Sequence, residues 1–271
     1  MKAVELHNIL FDMLCEIDDA CRKEHVSYTL GGGTMLGAVR HQGFIPWDDD
    51  ADICVWYRDY PLMRAALRKH LPPHLKLIEP DDVAPSFYDF VYRVIDTRYF
   101  LHEPGEEDEF YNNIQNHVSV DIFLVADAAN TKIGLKLVNF KRKLLYGIAM
   151  SHRYKKKSRI DTFTTKLLVK ILSFIGNRVS INKILQWRDK LFGKYSSFSK
   201  KYCIMTNDLP KYWNLPYESE WFNGVEYMPF YSTQFPVQKG YHEKLTLQYG
   251  DYMQPRKDNT EFIQHIEFEE D

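Results

Sequence analysis

The chain has 271 residues and a mass of 32.1 kDa, of which 45% are hydrophobic and 27% charged. That is an ordinary globular composition, long enough for one large domain or two small ones. No run of about 18 uncharged apolar residues occurs, and MKAVELHNILFDMLCEIDDA carries acids where a secretory signal needs an apolar core, so neither a spanning helix nor a secretory signal is expected and a cytoplasmic protein is. Cys15, Cys21, Cys54 and Cys203 form no CxxC pair and no grouping with histidines of zinc-site spacing, which leaves buried, reduced thiols. The net charge of −2 conceals an asymmetry: from Thr131 to Lys201 there are 19 Lys/Arg against 2 Asp/Glu, and elsewhere 16 against 35.

Between Ala3 and His25, the residues Leu6, Ile9, Leu10, Met13, Leu14, Ile17 and Cys21 recur at spacings of three and four, predicting a helix with a core-facing stripe. Val26 to Leu30 reads as a short strand that meets Gly31, Gly32 and Gly33, with a helical turn beginning near Thr34. Such glycines let the backbone approach a ligand, and a helix start turns free amides toward an anion; a plain tight turn is the alternative. The spacing is neither that of a P-loop nor of GxGxxG. Ala51 to Trp56 predicts a strand, Tyr60 to His70 a helix closed by Pro72 and Pro73, and FYDFVYRVID and VSVDIFLV two further strands. In the basic region, GLKLVNFKRKLLYGIAM and FTTKLLVKILSFIGNRV have apolar residues at helical spacing and predict amphipathic helices with cationic flanks. Beyond it, YWNLPYESEWFNGVEYMPF and KLTLQYGDYMQPR read as an aromatic, loop-rich segment, and the last dozen residues as a disordered tail.

The most demanding stretch is GFIPWDDDADICV, from Gly43 to Val55. It places Asp48, Asp49, Asp50 and Asp52 against an apolar strand, a poor location for negative charge unless a cation is held there. Alternate strand residues share a face, so Asp50 and Asp52 are expected to project together, with Asp48 as a helper and Asp49 turned away. Two carboxylates on one face suit a divalent metal, magnesium or manganese, that takes hard oxygen ligands and completes its shell with substrate phosphate. Asp121 lies inside the apolar run VSVDIFLV and needs a partner, either a local hydrogen bond, an arginine such as Arg93, or the metal. The glycine turn, the paired acids and the third acid together predict phosphoryl-group chemistry. An EF-hand lacks support because its DxDxDG spacing and terminal glutamate are missing, and a glycosidase needs no glycine turn before its acids.

The run GGGTMLGAVRHQGFIPWDDDADI, continued at VSVDIFLV, WFNGVEYMPF and LQYGDYMQP, resembles the LicD family of the nucleotidyltransferase-like superfold, which includes the fukutin-related polyol-phosphate transferases. The resemblance implies an α+β fold: a mixed sheet flanked by helices, with a catalytic core at 1–130, a basic helical region at 131–201, and a segment at 202–271 that completes the site. It implies a phosphotransferase that moves phosphocholine from CDP-choline to a sugar hydroxyl of a lipid-linked glycan, with no nucleic-acid partner. On that reading, Asp50, Asp52 and Asp121 are the catalytic and metal-binding acids. Gly32, Gly33 and Thr34 hold phosphate, and Arg40, His41, Asp48 and Arg93 assist, although Arg40 and His41 are equally compatible with structural roles and Arg93 with either an aspartate or a phosphate. Choline would need aromatic faces and a carboxylate, for which Trp213, Trp221, Tyr227, Tyr249 and Asp251 are the candidates. Another CDP-alcohol donor such as CDP-ribitol or CDP-glycerol, a cytidylyltransferase activity, and a non-catalytic glycan- or nucleotide-binding role are the alternatives. The basic region is expected to make peripheral contact with an anionic inner membrane face through Lys141, Arg142, Lys143 and the lysines at 155–157.

Overall fold

The structure, a computed structural model, describes residues 2–154, 163–193, 200–208 and 212–255. The expected tail and the lysines at 155–157 lie outside the described residues. In chain order the elements are α1 (Ala3–Lys23), β1 (Thr29–Leu30), α2 (Gly32–His41), β2 (Ala51–Trp56), α3 (Tyr60–His70), β3 (Leu75–Ile78), β4 (Arg93–Phe100), α4 (Glu106–Phe110), β5 (His117–Ala129), α5 (Lys132–Ala149), α6 (Phe163–Gly176), α7 (Ile181–Gly193), β6 (Tyr202–Met205), β7 (Tyr217–Glu218), β8 (Val225–Phe230), β9 (Thr233–Gln238) and α8 (Tyr241–Tyr249).

One strand organises the rest. β5 is 13 residues long and pairs in parallel with β2 on one side, while on the other it pairs antiparallel with β4 along its first half and with β6 along its second. β1, β3 and β7 extend the sheet from β2, β4 and β6, and β8 with β9 forms a separate hairpin. The result is the expected mixed α+β arrangement of a nucleotidyltransferase-like domain. Alternation along β5 explains how a single strand serves two surfaces: Val118, Val120, Ile122 and Leu124 are buried in the main core, whereas Ser119, Asp121 and Phe123 face the other way and are half-buried. On β2 the same period sends Ala51, Ile53 and Val55 into that core and Asp52 and Cys54 to the opposite face. α1 covers the core with Leu6, Leu10, Met13, Leu14 and Ile17, its predicted stripe. Burying each such side chain fully stabilises the fold by about 1.5–3 kcal/mol, which holds the strand ends in place for the site.

Three elements differ from the sequence reading. The strand expected in FYDFVYRVID begins only at Arg93, because Phe87 and Phe90 leave the sheet to pack with Ala149, Ile181, Ile184 and Leu185 beneath α5 and α7. The strand before the glycines shortens to Thr29–Leu30, its length limited by pairing with Ile53 and Cys54 of β2. The carboxyl-terminal segment is more regular than a loop: β8 and β9 form a hairpin despite Pro229 and Pro236, which a two-stranded ribbon tolerates because each strand has an unpaired edge. Phe230, Phe235 and Val237 from this hairpin are buried in the main core. That burial supplies the drive to order it.

Candidate active site

The loop entering β2 and the face of β5 described above open onto one cavity of about 570 Å³. Its floor brings Asp48, Asp49, Asp50, Asp52 and Asp121 together with Gly32 and Gly33, and Arg93, Tyr88, Arg153, Tyr212 and Tyr249 contribute to its walls. The register explains the convergence. Asp52 and Asp121 are direct partners across the parallel β2–β5 pair, and Arg93 faces Asp121 across the antiparallel β4–β5 pair.

The glycine turn is tied to the acidic strand by two hydrogen bonds, one backbone to backbone and one to a side-chain hydroxyl. Gly31 N–H donates to the Asp52 carbonyl at 2.8 Å, and Asp52 N–H donates to Thr34 Oγ1 at 2.8 Å. Thr34 is thus fully buried and committed to positioning Asp52, away from the cavity wall. Gly32 has a φ of +42°, and a Cβ there would stand 2.0 Å from Asp52 Oδ2. No other residue type fits so close to that carboxylate in the left-handed region. On the other side of the cluster, buried His7 of α1 donates from Nε2 to the Asp48 carbonyl at 2.7 Å and stacks on Phe44 with ring centres 5.0 Å apart. Burial lowers the His7 pKa, so its neutral form, with one N–H directed at that carbonyl, is favoured.

Electrostatically the floor is under tension. Burial, then Asp50, Asp121 and Asp48, push the Asp52 pKa well above the ordinary carboxylate value, with Lys244 opposing. Asp48 is raised too, first by burial and then by Asp50 and Asp49. One oxygen of buried Asp48, Oδ2, has no hydrogen-bond partner among the described residues. Asp48, Asp49 and half-buried Asp50 each offer an oxygen, and these oxygens all lie within 4.8 Å of one another. Like charges held so close out of water are costly unless a cation compensates them, and an all-carboxylate donor set is the one that magnesium or manganese prefers. The residues present therefore fit a divalent metal.

Some predicted positions occupy other places. Asp49, expected to turn away, is buried and lines the cavity, because the chain reaches β2 only at Ala51 and the preceding acids do not follow strand alternation. Arg93 pairs with an aspartate: its Nη2 donates to Asp121 Oδ2 at 3.0 Å, and its Nε stands 2.9 Å from Oδ1. Arg40 donates from Nη1 to the Tyr252 carbonyl at 2.8 Å, and His41 meets Trp47 edge-on, so both sit at the far end of α2 outside the cavity lining. Among the aromatic candidates, Tyr249 lines the cavity. Trp213 is buried under the Arg142 guanidinium, 4.3 Å from its ring, and Trp221 packs beside Tyr217 and Phe222. Tyr227 and Asp251 are exposed, away from the lining.

Sequence reasoning missed several lining residues. Ser119 and Phe123 follow from Asp121 by alternation, so a period-two reading of VSVDIFLV finds them. Lys244, which is buried behind the cavity rather than lining it and acts on Asp52 through its charge, has no comparable signal, since a lysine in a short helix ordinarily faces solvent. Here it is fully buried, its Nζ 5.5 Å from the Phe222 ring centre and without a hydrogen-bond partner among the described residues. Gln248 and Tyr249, one turn further along α8, reach the cavity.

Known proteins resemble this chain in sequence. Residues 25–152 match the model of the LicD/FKTN/FKRP nucleotidyltransferase domain, a stretch that includes the glycine turn, all five floor acids and Arg93. Over 257 residues, the chain is 28% identical to the lipopolysaccharide cholinephosphotransferase LicD of Haemophilus influenzae, covering 91% of this chain and 89% of that protein. It is also 42% identical over 50 residues to the uncharacterised proteins RP689 of Rickettsia prowazekii and RT0683 of Rickettsia typhi, covering 18% of this chain and 19% and 16% of theirs.

Proposed function

The chain belongs to the LicD/FKTN/FKRP nucleotidyltransferase-domain family and is a phosphotransferase of it, and we propose that it moves phosphocholine from CDP-choline to a sugar hydroxyl of a lipid-carried, cell-surface glycan precursor at the cytoplasmic face of the membrane. The observation that carries this reading is the convergence of five aspartates and a glycine turn in one cavity of about 570 Å³, within the size range of small-molecule sites. The Haemophilus relative, through its name, supplies the choline phosphate and the lipopolysaccharide.

In the reaction, the sugar hydroxyl oxygen bonds to the choline-bearing phosphorus while the bond from that phosphorus to the bridging oxygen breaks. CMP leaves with the bridging oxygen. Asp121, oriented by Arg93 and open to the cavity, takes the hydroxyl proton. The backbone at Gly32 and Gly33 approaches the donor phosphates without side-chain obstruction. Asp50, with Asp48 and Asp49 offering oxygens close beside it and Asp52 lining the same cavity, would hold magnesium or manganese, whose charge would neutralise the diphosphate and the leaving CMP. Tyr212 and Tyr249 supply aromatic faces for the trimethylammonium group in place of Trp213 and Trp221. Burial and nearby carboxylates raise the Tyr249 pKa, so its phenol stays neutral and keeps its hydrogen to donate.

Isotope-labelled CDP-choline, incubated with magnesium and candidate glycans, tests the proposal. CMP and a glycan phosphodiester are the expected products. Transfer only from CDP-ribitol or CDP-glycerol would reassign the donor, pyrophosphate release from CTP would make the protein a cytidylyltransferase, and binding without turnover would leave a glycan- or nucleotide-binding protein.

A further inference from the structure

Away from the cleft, α5 and α6 form an apolar face that nothing among the described residues covers. Ile133, Leu137 and Phe140 of α5 are 74%, 58% and 59% exposed, and Leu167, Leu168, Ile171 and Phe174 of α6 are 51%, 49%, 50% and 60% exposed. On α5 the three residues recur at spacings of four and three, so they form one stripe. α6 lies against the later part of the same helix, where Leu172 packs at Gly147. Two adjacent helices thus present large side chains outward over a width that isolated surface hydrophobics do not produce.

Among the described residues, the charged side chains of α5 and α6 are all cationic. Lys132, Lys136, Lys141 and Lys143 are exposed on α5 and Lys170 on α6, and the Arg178 guanidinium lies 3.4 Å from the centre of the Phe174 ring. By helical spacing, Lys136 and Lys143 flank the α5 stripe on one side and Lys141 on the other. Neither helix contains an aspartate or glutamate. Arg142, which sequence reasoning counted among the surface cations, is buried, donating from Nη2 to the Asp208 carbonyl at 3.1 Å. A second copy of this chain makes a poor occupant, because a two-fold contact would set the cationic borders against each other. No described helix is long and apolar enough to cross a membrane, so a face of this kind can lie on a bilayer but not span it.

We infer that the outer face of α5 and α6 docks on an anionic bilayer, inserting Ile133, Leu137, Phe140, Ile171 and Phe174 at the headgroup level while the lysines meet lipid phosphates. No α5 or α6 residue lines the cleft, yet α5 leads directly to Arg153, which does. Docking through this face therefore leaves the cleft unobstructed beside the membrane. The inference draws its use from the proposed lipid-carried acceptor, but the surface stands independently of the reaction.

Sedimentation of the full chain with vesicles of phosphatidylglycerol and phosphatidylcholine, against vesicles of phosphatidylcholine alone, reads binding without turnover. Strong binding to the anionic vesicles is expected, weakened but not abolished by high salt. Leu137→Ser with Phe140→Ser and Phe174→Ser, and separately Lys136→Gln with Lys141→Gln and Lys170→Gln, should each weaken binding at least about tenfold. These are exposed positions, and an unchanged circular dichroism spectrum checks the fold. Asp52→Asn should bind vesicles as the parent does, so a failure of the transferase reading leaves this result intact. Equal recovery from both vesicle types, no binding to either, or a dimer that the same serine substitutions dissociate would overturn the inference.

Discussion

The acidic cleft and the α5–α6 face both gather charge of one sign next to apolar residues, and they do so in opposite ways. In the cleft the charges are on short, buried or half-buried side chains whose backbone is fixed by hydrogen bonds with Gly31 N–H, Thr34 Oγ1 and His7 Nε2. On the helices they are on long side chains that reach into water around an apolar stripe. Short, buried carboxylates cannot move apart, so their repulsion appears as raised proton affinity and as a demand for a cation at a fixed place. Exposed lysines relax into solvent, and their repulsion stays small until a surface of opposite charge arrives. The first pattern suits catalysis, where preorganised charge acts on a reacting group, and the second suits reversible adhesion.

That contrast breaks most directly at Asp52. Replacing it with Asn removes a charge that its neighbours oppose, so turnover should fall roughly a hundredfold or more while the melting temperature holds or rises. Steady-state transfer at saturating magnesium, with thermal unfolding of the same preparation, measures both, and parental turnover would remove Asp52 from the site. Gly32→Ala tests whether the fixed position of that carboxylate matters as much as its charge. The added methyl lands on Asp52 Oδ2 at a positive φ, so turnover should drop at least about tenfold with a loss of about 1–3 kcal/mol in denaturant unfolding. Unchanged kinetics would mean that the carboxylate is free to shift.

Lys244 sharpens the comparison from behind the cleft, because it is a cation of the helical region's kind buried where its charge acts on Asp52. Lys244→Met keeps the bulk and removes the charge that opposes protonation of Asp52. About a tenfold loss in turnover is expected, with the acid limb of the pH–rate profile moved to higher pH. A lower rate with the limb unmoved would make Lys244 a packing residue only. The smallest effect is thermodynamic. Asp48 and Asp52 hold protons more tightly folded than unfolded, so in metal-free protein stability is lost as pH rises from about 4 through their raised folded values. Magnesium opposes that loss by binding the ionised form, and the rise in melting temperature it produces should be larger at pH 8 than at pH 5. Scanning fluorimetry across that range checks it, and equal shifts at both values would separate the metal from these acids.

What the sequence determined by itself was whatever depends on neighbours along the chain. The stripe of α1, the bounds of β2 and α3, the alternation of VSVDIFLV and the clustering of aspartates before Ala51 are all local, because helix and strand periods are set by backbone geometry within a few residues. The glycine turn and the Arg93–Asp121 pairing were visible as alternatives, since the residue types announce a need without naming the partner.

Only tertiary structure decided which alternatives hold. Parallel pairing of β2 with β5 set Asp52 opposite Asp121, and β4 brought Arg93 to the same point, a choice of strand neighbours that no local pattern encodes. It withdrew Trp213 and Trp221 from the cavity and kept Tyr249, because a tryptophan buried in packing and one lining a cavity are the same letter in the chain. It buried Lys244 and Arg142 against the ordinary habit of cations, and it left Ile133, Phe140 and Phe174 exposed against the ordinary habit of apolar residues. Burial is a property of what packs from elsewhere in the chain, and the chemistry of a charged or apolar side chain turns on it.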